Sequence, residues 1–229
     1  MNTLEITHLT KSFGNKLVLN DVSLKCETGE IIGVFGRNGS GKSTLMKLIF
    51  GTLKADSIEI RINTEIILPR NIIPSGKIAY LPQEPFLPKG LKVCEVIPLF
   101  YENDRQDKIF YAPGVSKFEN TLVGKLSMGE LRYLEILLIG NLNHHFLLLD
   151  EPFSMVEPLI KEMLKELLIL LKETKGILLT DHYYHDVLDA THRNLIVKDG
   201  NILDIQSEAD LKHYQYLKFY SETNQPKKI

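Results

Sequence analysis

One run of nine residues constrains this chain more than any other feature. Residues 36–44 read GRNGSGKST, which satisfies the pattern G-x-x-x-x-G-K-[ST] in full. The apolar run IIGVF from Ile31 precedes it, and KSTLMKLIF follows it with helical spacing up to Gly51. Strand, glycine-rich turn and helix in this order predict a loop that binds phosphates. A chance glycine-rich turn is the alternative, and the flanking strand and helix argue against it.

Each residue type in this loop suits triphosphate binding. The glycines let backbone N–H groups approach the phosphates, Lys42 supplies a positive charge to the outer phosphates, and Ser43 supplies an oxygen to Mg²⁺. We therefore expect the chain to bind ATP at this loop and to hydrolyse it. The expected nucleotide-binding residues of this loop are Gly36, Arg37, Asn38, Gly39, Ser40, Gly41, Lys42, Ser43 and Thr44.

Composition limits the class of protein. At 229 residues, with 44% hydrophobic and 24% charged residues, the chain suits one large domain with a substantial core. A formal net charge of −2 gives no electrostatic argument for nucleic acid as a partner. Cys26 and Cys94 are too few for a disulfide framework or a zinc site, so a reducing compartment fits best. Since no apolar run reaches the roughly 18 residues of a spanning helix, we expect any role in transport to need a separate partner.

Periodicity predicts an α/β fold. The opening third alternates with the period of strands, and residues 156–171 carry an apolar stripe at i, i+3, i+4 and i+7, which predicts a helix that covers the core. KGILLTDH predicts a buried strand, and NLIVKDGNILDI predicts a hairpin that turns at Asp199 and Gly200. Because strands alternate with helices, the sheet should be mostly parallel.

A second site element is the run FLLLDE, an apolar strand that ends in Asp150 and Glu151. Buried strands rarely finish on adjacent carboxylates unless a cation or water meets them. Asp150 suits a magnesium ion, and Glu151 could orient or deprotonate the attacking water. Alone, the run would more often be a solvated strand end, and the phosphate loop elsewhere in the chain favours the functional interpretation.

Residues 126–130 read LSMGE, and with them the chain resembles the ATP-binding subunits of the ABC transporter family over nearly its whole length. The family's motifs follow in order. KSFG with Phe13 resembles the segment that stacks on adenine, YLPQEPF places Gln83 as the Q-loop glutamine, DEPFSMVEP resembles the Walker B and D-loop run, and LLTDH places His182 as the switch histidine.

The resemblance implies a P-loop NTPase core with a mostly parallel sheet, an N-terminal antiparallel β subdomain and a short helical insertion. It implies a single ABC ATPase domain over residues 1–229. Residues 1–81 and 143–229 would form the RecA-like core with the antiparallel β part. Residues from about 84 to 142 would form a reduced helical subdomain that carries LSMGE.

The resemblance also implies a mechanism. Two such domains, as a homodimer or a heterodimer, pack head to tail around ATP, and Ser127 and Gly129 of one contact the γ-phosphate held by the other. Lys42, Glu151 and His182 would be the catalytic residues. Ser43, Gln83 and Asp150 would hold Mg²⁺, and Phe13 and Gln83 would also contact the nucleotide. A membrane-spanning transporter subunit would dock on the region of Gln83, which would hold the chain in the cytoplasm at the inner face of the cell membrane.

Single residues keep ordinary alternatives. Phe13 by itself would more often be a packed aromatic residue, and Gln83 among prolines a polar loop residue. His182 lies in a cluster with other polar aromatic residues and could be a satisfied or solvated histidine. We expect His144 and His145 to lie in a solvated turn before the Walker B strand.

Two positions depart from the family pattern. Met128 stands where the family usually has glycine, so its side chain could obstruct close approach of the backbone or resist a positive φ. Glu157 replaces the usual Asp of the D-loop and is one methylene longer. The alternative function is an ABC-type ATPase outside transport, a switch on a soluble assembly. Such proteins usually carry paired domains, coiled coils or basic nucleic-acid faces, and this sequence shows none.

Overall fold

The computed structural model describes residues 1–214 and residue 216. Ten strands and eight α-helices lie in this part of the chain. The strands are β1 (Thr3–Phe13), β2 (Lys16–Glu27), β3 (Ile31–Phe35), β4 (Ser57–Ile62), β5 (Glu65–Ile66), β6 (Ile78–Leu81), β7 (Phe146–Asp150), β8 (Gly176–Thr180), β9 (Arg193–Lys198) and β10 (Asn201–Ile205). The helices are α1 (Lys42–Phe50), α2 (Ile72–Ser75), α3 (Val93–Phe100), α4 (Asp107–Phe110), α5 (Met128–Gly140), α6 (Pro158–Lys172), α7 (Tyr184–Ala190) and α8 (Glu208–His213).

The strands form two sheets. An antiparallel sheet has the order β2-β1-β4-β5, and a six-stranded sheet has the order β10-β9-β3-β8-β7-β6. In the larger sheet only β10 runs antiparallel to its neighbour, because it returns from β9 through the turn at Asp199 and Gly200. The expected α/β class, with a mostly parallel sheet and an antiparallel β part, is confirmed.

Burial explains why the central strands read as continuous apolar runs. Every residue of β3, β7 and β8 is buried, since both faces of a mostly parallel sheet are covered. The antiparallel strands alternate instead, and β1 buries Leu4 and Ile6 on one face. One face of the larger sheet shares its hydrophobic cluster with α3, α5 and α6. The other face shares a cluster with α1 and the antiparallel sheet.

Parallel pairing places four loops at one edge of the large sheet. β6, β7, β8 and β3 are adjacent and point the same way, so their carboxyl ends meet there. Loops beyond these ends carry Gln83, Glu151, His182 and the phosphate loop. Ligand sites of open α/β sheets form at this edge.

The prediction that His144 and His145 lie in a solvated turn is wrong for His144. Its side chain is only 5% exposed. Lys175 closes over the turn, where its Nζ donates to Leu142 O at 2.8 Å and to His144 O at 2.7 Å. Burial, followed by the charge of Lys175, lowers the pKa of His144 to about 3, so the imidazole is neutral at pH 7.

The predicted division into a core and a helical subdomain stays a prediction. Within residues 84–142 lie α3, α4 and α5, which fits a helical segment. Residues 217–229 of the predicted core lie outside the described residues. Among the helices that the structure describes, none combines the length and the apolar character that a bilayer crossing requires.

Candidate functional site

The phosphate loop joins β3 to α1 and depends on glycine at specific positions. Gly36 and Gly41 have φ angles of 155° and 110°. A β-carbon at Gly36 would lie 2.9 Å from Val197 O, and one at Gly41 would lie 2.8 Å from Val18 Cγ1. Lys42 Nζ donates to Gly36 O at 2.7 Å, which closes the loop on itself. A residue with a β-carbon at position 36 or 41 would therefore strain this turn of the backbone.

The Lys42 ammonium lies among carboxylates. Burial is the largest influence and lowers the pKa of Lys42, while the charges of Glu151, Asp150 and Asp181 act in the opposite direction. Its side chain is 6% exposed. A buried cation next to an open cavity is suited to an anionic ligand, because such a ligand would replace solvation that the lysine has lost.

Asp150 is a buried carboxylate held by three hydroxyl groups. It is 1% exposed, and Ser43 Oγ donates to its Oδ1 at 3.0 Å. Thr180 Oγ1 donates to the same oxygen at 2.9 Å, and Tyr80 OH donates to Oδ2 at 3.1 Å. Burial, followed by the charge of Asp150, raises the pKa of Tyr80, so the phenol stays a donor. The alternative of a solvated strand end is wrong for Asp150.

Glu151 and His182 contact each other at the cavity. His182 Nε2 lies 2.6 Å from Glu151 Oε1, and Ser154 Oγ donates to Glu151 Oε2 at 3.1 Å. Glu151 has a φ of 56°, the left-handed region that non-glycine residues rarely adopt. Both oxygens of the carboxylate are thus fixed by side chains from the loops after β7 and β8.

Asp181 holds the backbone next to Glu151 and His182 in place. Its carboxylate is fully buried and accepts from Phe153 N at 2.7 Å, His182 N at 2.7 Å and Tyr183 N at 3.1 Å. Burial raises the pKa of Asp181 against the effect of these N–H groups. The carboxylate fixes the backbone on both sides of the contact between Glu151 and His182.

A buried ion pair ties α5 to the loop that carries Gln83. Arg132 donates to Pro82 O at 2.8 Å and to Gln83 O at 2.5 Å, and its Nη1 lies 3.1 Å from Glu135 Oε2. Glu135 Oε1 accepts from Phe86 N at 2.9 Å. Helix α5, which begins within LSMGE, therefore holds the backbone at Gln83 in place.

Lys42, Ser43, Gln83, Glu151 and His182 line one cavity of about 550 Å³. Phe13 is exposed, whereas the alternative of a packed aromatic residue requires a buried ring. Expected residues that line the cavity are Phe13, Asn38, Gly39, Gly41, Lys42, Ser43, Thr44, Gln83, Glu151 and His182.

Some expected residues lie elsewhere. Arg37 and Ser40 line a neighbouring cavity of about 530 Å³ across the phosphate loop. Asp150 lies behind Ser43, and Ser127 and Gly129 do not line the cavity of Lys42. Gly36 contributes its carbonyl oxygen to Lys42.

Sequence reasoning missed several residues of the site. Lys16 and Val18 line the cavity because the hairpin of β1 and β2 brings them beside Phe13. Tyr80, Thr180 and the pair Arg132 and Glu135 hold the expected residues in place. Their only sequence signal is polar character within otherwise apolar segments.

LSMGE forms the start of α5. Ser127 Oγ accepts from Glu130 N at 3.2 Å, and Glu130 Oε2 accepts from Ser127 N at 2.8 Å, which is a capping box. Met128 is the first helical residue and is not among those with positive φ, so the expectation that it resists a positive φ is wrong. A β-carbon at Gly129 would collide with the carboxylate of Glu157. Because this carboxylate is the end of a flexible side chain that can move aside, space alone does not require glycine at position 129.

Comparison with known proteins decides the family. Residues 19–154 match the family model described as ABC transporter. The chain is 33% identical to the lipopolysaccharide export system ATP-binding protein LptB of Haemophilus influenzae, over 89% of this chain and 90% of that protein. The chain belongs to the ABC transporter family. It is also 29% identical to LptB of Escherichia coli K12, over 95% of this chain and 96% of that protein.

Solved structures of the ABC family show the same fold. A nucleotide-free ATP-binding cassette from an ABC transporter superposes with a TM-score of 0.81 at 24% identity, over 94% of this chain and 96% of that one. As a member of the ABC family, the chain is an ATP-binding and ATP-hydrolysing subunit that powers a transporter. Such subunits dimerise and work with membrane transporter partners. The expected family, fold and ATPase activity are confirmed.

Proposed function

We propose that the cavity of Lys42 is the ATP site and that two nucleotide-binding domains close head to tail over it to drive transport. One observation carries the proposal: the phosphate loop, Ser43, Gln83, Glu151 and His182 line one cavity of about 550 Å³ at the carboxyl edge of the sheet. A cavity of this size is typical of nucleotide-sized ligands.

The nucleotide would lie along the phosphate loop with its base on Phe13. Phe13 is 48% exposed and lines the cavity, so an adenine could stack on its ring. Lys42 would exchange its bond with Gly36 O for oxygens of the outer phosphates. The helix α1 begins directly at Lys42, so its positive end would face the same phosphates.

The donor set around Ser43 fits Mg²⁺. Ser43 offers a hydroxyl, Gln83 an amide oxygen and Asp150 a carboxylate, all hard oxygen ligands. In the described part of the chain no group of three or more His, Cys, Asp or Glu side chains could hold a metal, so most ligands would have to be phosphate oxygens and water. When bound, the ion would neutralise charge on the phosphates.

Glu151 would accept the proton of the attacking water, and His182 would assist this step. Glu151 lines the cavity, and its carboxylate would accept that proton as general base. His182 Nε2 lies 2.6 Å from Glu151 Oε1, where it orients the carboxylate, and with ATP bound its one N–H would turn to the γ-phosphate instead. Loss of this contact would slow hydrolysis without removing the phosphate loop.

Ser127 and Gly129 would act on the partner domain. They lie outside their own chain's cavity, at the N-terminal end of α5, where orphan N–H groups and the helix dipole favour an anion. In the head-to-tail arrangement this end would reach the γ-phosphate of the other domain. A homodimer would place Met128 at both nucleotides, and a heterodimer at one.

The transporter partner would dock on residues 82–124, the region that includes Gln83. Because Arg132 holds the carbonyl groups of Pro82 and Gln83, movement of this loop would be transmitted to α5. Such docking would keep the chain at the inner face of the cell membrane. Cargo recognition would belong to the membrane partner.

Purification of the full chain from detergent-solubilised membranes tests the proposal. We expect a hydrophobic integral membrane protein to co-purify and the complex to hydrolyse ATP in a magnesium-dependent reaction. The matched variant is Lys42→Ala, which should retain the partner and lose hydrolysis. Co-purification with ribosomal or DNA-repair proteins alone would instead support the soluble switch.

A further inference from the structure

Helices α6 and α7 are joined by a compact set of charges that the catalytic cavity does not include. Lys161 Nζ lies 2.6 Å from Asp186 Oδ2 and 3.7 Å from the ring centroid of Tyr183. The side chains of Lys161 and Asp186 are 13% and 17% exposed, so this ion pair is largely shielded from water. Shielded ion pairs and cation–π contacts are stronger than exposed ones.

The other oxygen of Asp186 is also occupied. Lys165 Nζ lies 3.1 Å from Asp186 Oδ1, and it contacts Glu162 at 2.9 Å and Asp189 at 3.2 Å as well. Burial alone would raise the pKa of Asp186, but the hydrogen bonds from Lys161 and Lys165 outweigh it and lower the pKa. Asp186 is therefore ionised and held by two cations from successive turns of α6.

The two lysines differ in what else they touch. Lys161 covers the ring of Tyr183, the residue directly after His182, whereas Lys165 bonds to acidic side chains farther along α6 and α7. The Tyr183 side chain is 47% exposed, so little apolar packing restrains it. The contact with Lys161 thus acts on the same short segment that presents His182 to Glu151.

We propose that Lys161 is a positioning residue for His182: through Asp186 and the ring of Tyr183 it fixes the start of α7 and so the approach of His182 to Glu151. The inference rests on the proposed role of His182 in ATP hydrolysis. Lys161 itself does not line the cavity.

Three variants separate positioning from general stability. Lys161→Met should lower kcat for ATP hydrolysis by about fivefold to tenfold and leave KM for ATP unchanged, because only the approach of His182 is disturbed. Lys161→Arg should restore kcat, since a guanidinium can keep both the ion pair and the ring contact. Lys165→Met removes a cation from the same carboxylate without touching Tyr183, and it should leave kcat within about twofold of the unmodified chain.

Steady-state ATPase kinetics of the full chain with its co-purified membrane partner provide the test. A loss of kcat in Lys161→Met that Lys161→Arg does not restore, or an equal loss in Lys165→Met, would overturn the inference. The same holds if KM rises while kcat stays unchanged, since the effect would then lie on nucleotide binding.

A double-variant cycle separates this inference from the proposed function. If His182→Ala slows hydrolysis, adding Lys161→Met to it should cause no further loss, because Lys161 acts through His182. A further fivefold to tenfold loss in the double variant would place Lys161 in another role and overturn the inference, with the role of His182 intact. If His182→Ala leaves hydrolysis unchanged, the proposed role of His182 fails and the inference fails with it.

Discussion

His182 Nε2 lies 2.6 Å from Glu151 Oε1, although the two residues follow different strands of the sheet. Adjacent parallel pairing of β7 and β8, with Asp150 opposite Thr180, brings the loops together. Asp181 then fixes the backbone on both sides through three N–H groups. The contact between Glu151 and His182 thus follows directly from strand order.

Replacement of the proposed base tests the first role. Glu151→Gln should keep ATP binding, slow hydrolysis by at least ~10²-fold, equivalent to about 2.7 kcal/mol, and trap an ATP-bound dimer. The reason is that an amide cannot accept the proton while the cavity keeps its shape. ATPase assays and light scattering with ATP measure both effects. Unchanged turnover would remove Glu151 from this role.

Met128 at the start of α5 offers a test of the LSMGE segment. Met128→Gly should raise ATPase activity or ATP-driven dimerisation, because the partially exposed side chain no longer obstructs the approach of the partner domain. Since Met128 is already helical, relief must come from lost bulk, and Met128→Ala should give a similar gain. A decrease in both variants would show that the interface accommodates methionine.

The buried ion pair under Gln83 should stabilise the fold. Arg132→Met leaves the Glu135 carboxylate buried without its cation and should lower the free energy of unfolding by about 3–5 kcal/mol. Adding Glu135→Met should recover part of this loss, because the uncompensated charge is then gone. Urea denaturation of both variants measures the difference. A loss well under 1 kcal/mol in the single variant would contradict the arrangement.

The buried His144 should make the free energy of unfolding depend on pH. Its pKa of about 3 in the folded chain lies below the value of 6.5 for a free side chain, so the unfolded chain binds the proton first. The contribution is complete above pH 6.5 and is lost as pH falls towards 3, by at most about 1.4 kcal/mol for each pH unit.

Thermal unfolding measured against pH would reveal this effect. His144→Leu should unfold at temperatures that fall less steeply than those of the unmodified chain between pH 6.5 and 4. His145→Gln is the matched control, because that neighbouring side chain is less buried. Equal slopes for His144→Leu and the unmodified chain would show that His144 does not titrate in this way.

Local patterns account for what could be predicted from the sequence. The phosphate loop, the pair Asp150 and Glu151, and His182 each follow a buried strand within a few residues, so a single segment reveals them. The contacts of Arg132 with Pro82 and of Ser43 with Asp150 span 50 and 107 residues, and no single segment contains both partners. The prediction for His144 was wrong because a pair of polar residues between a helix and a strand is typical of a solvated turn. In the structure Lys175, from a distant loop, covers His144.

The most direct test is calorimetric titration of the purified full chain with ATP, with and without Mg²⁺, beside the variant Lys42→Ala. ATP affinity should depend on Mg²⁺ and be lost in Lys42→Ala, because the buried ammonium would meet the outer phosphates. Absence of magnesium-dependent affinity in the unmodified chain, or equal affinity in Lys42→Ala, would contradict this mode of binding.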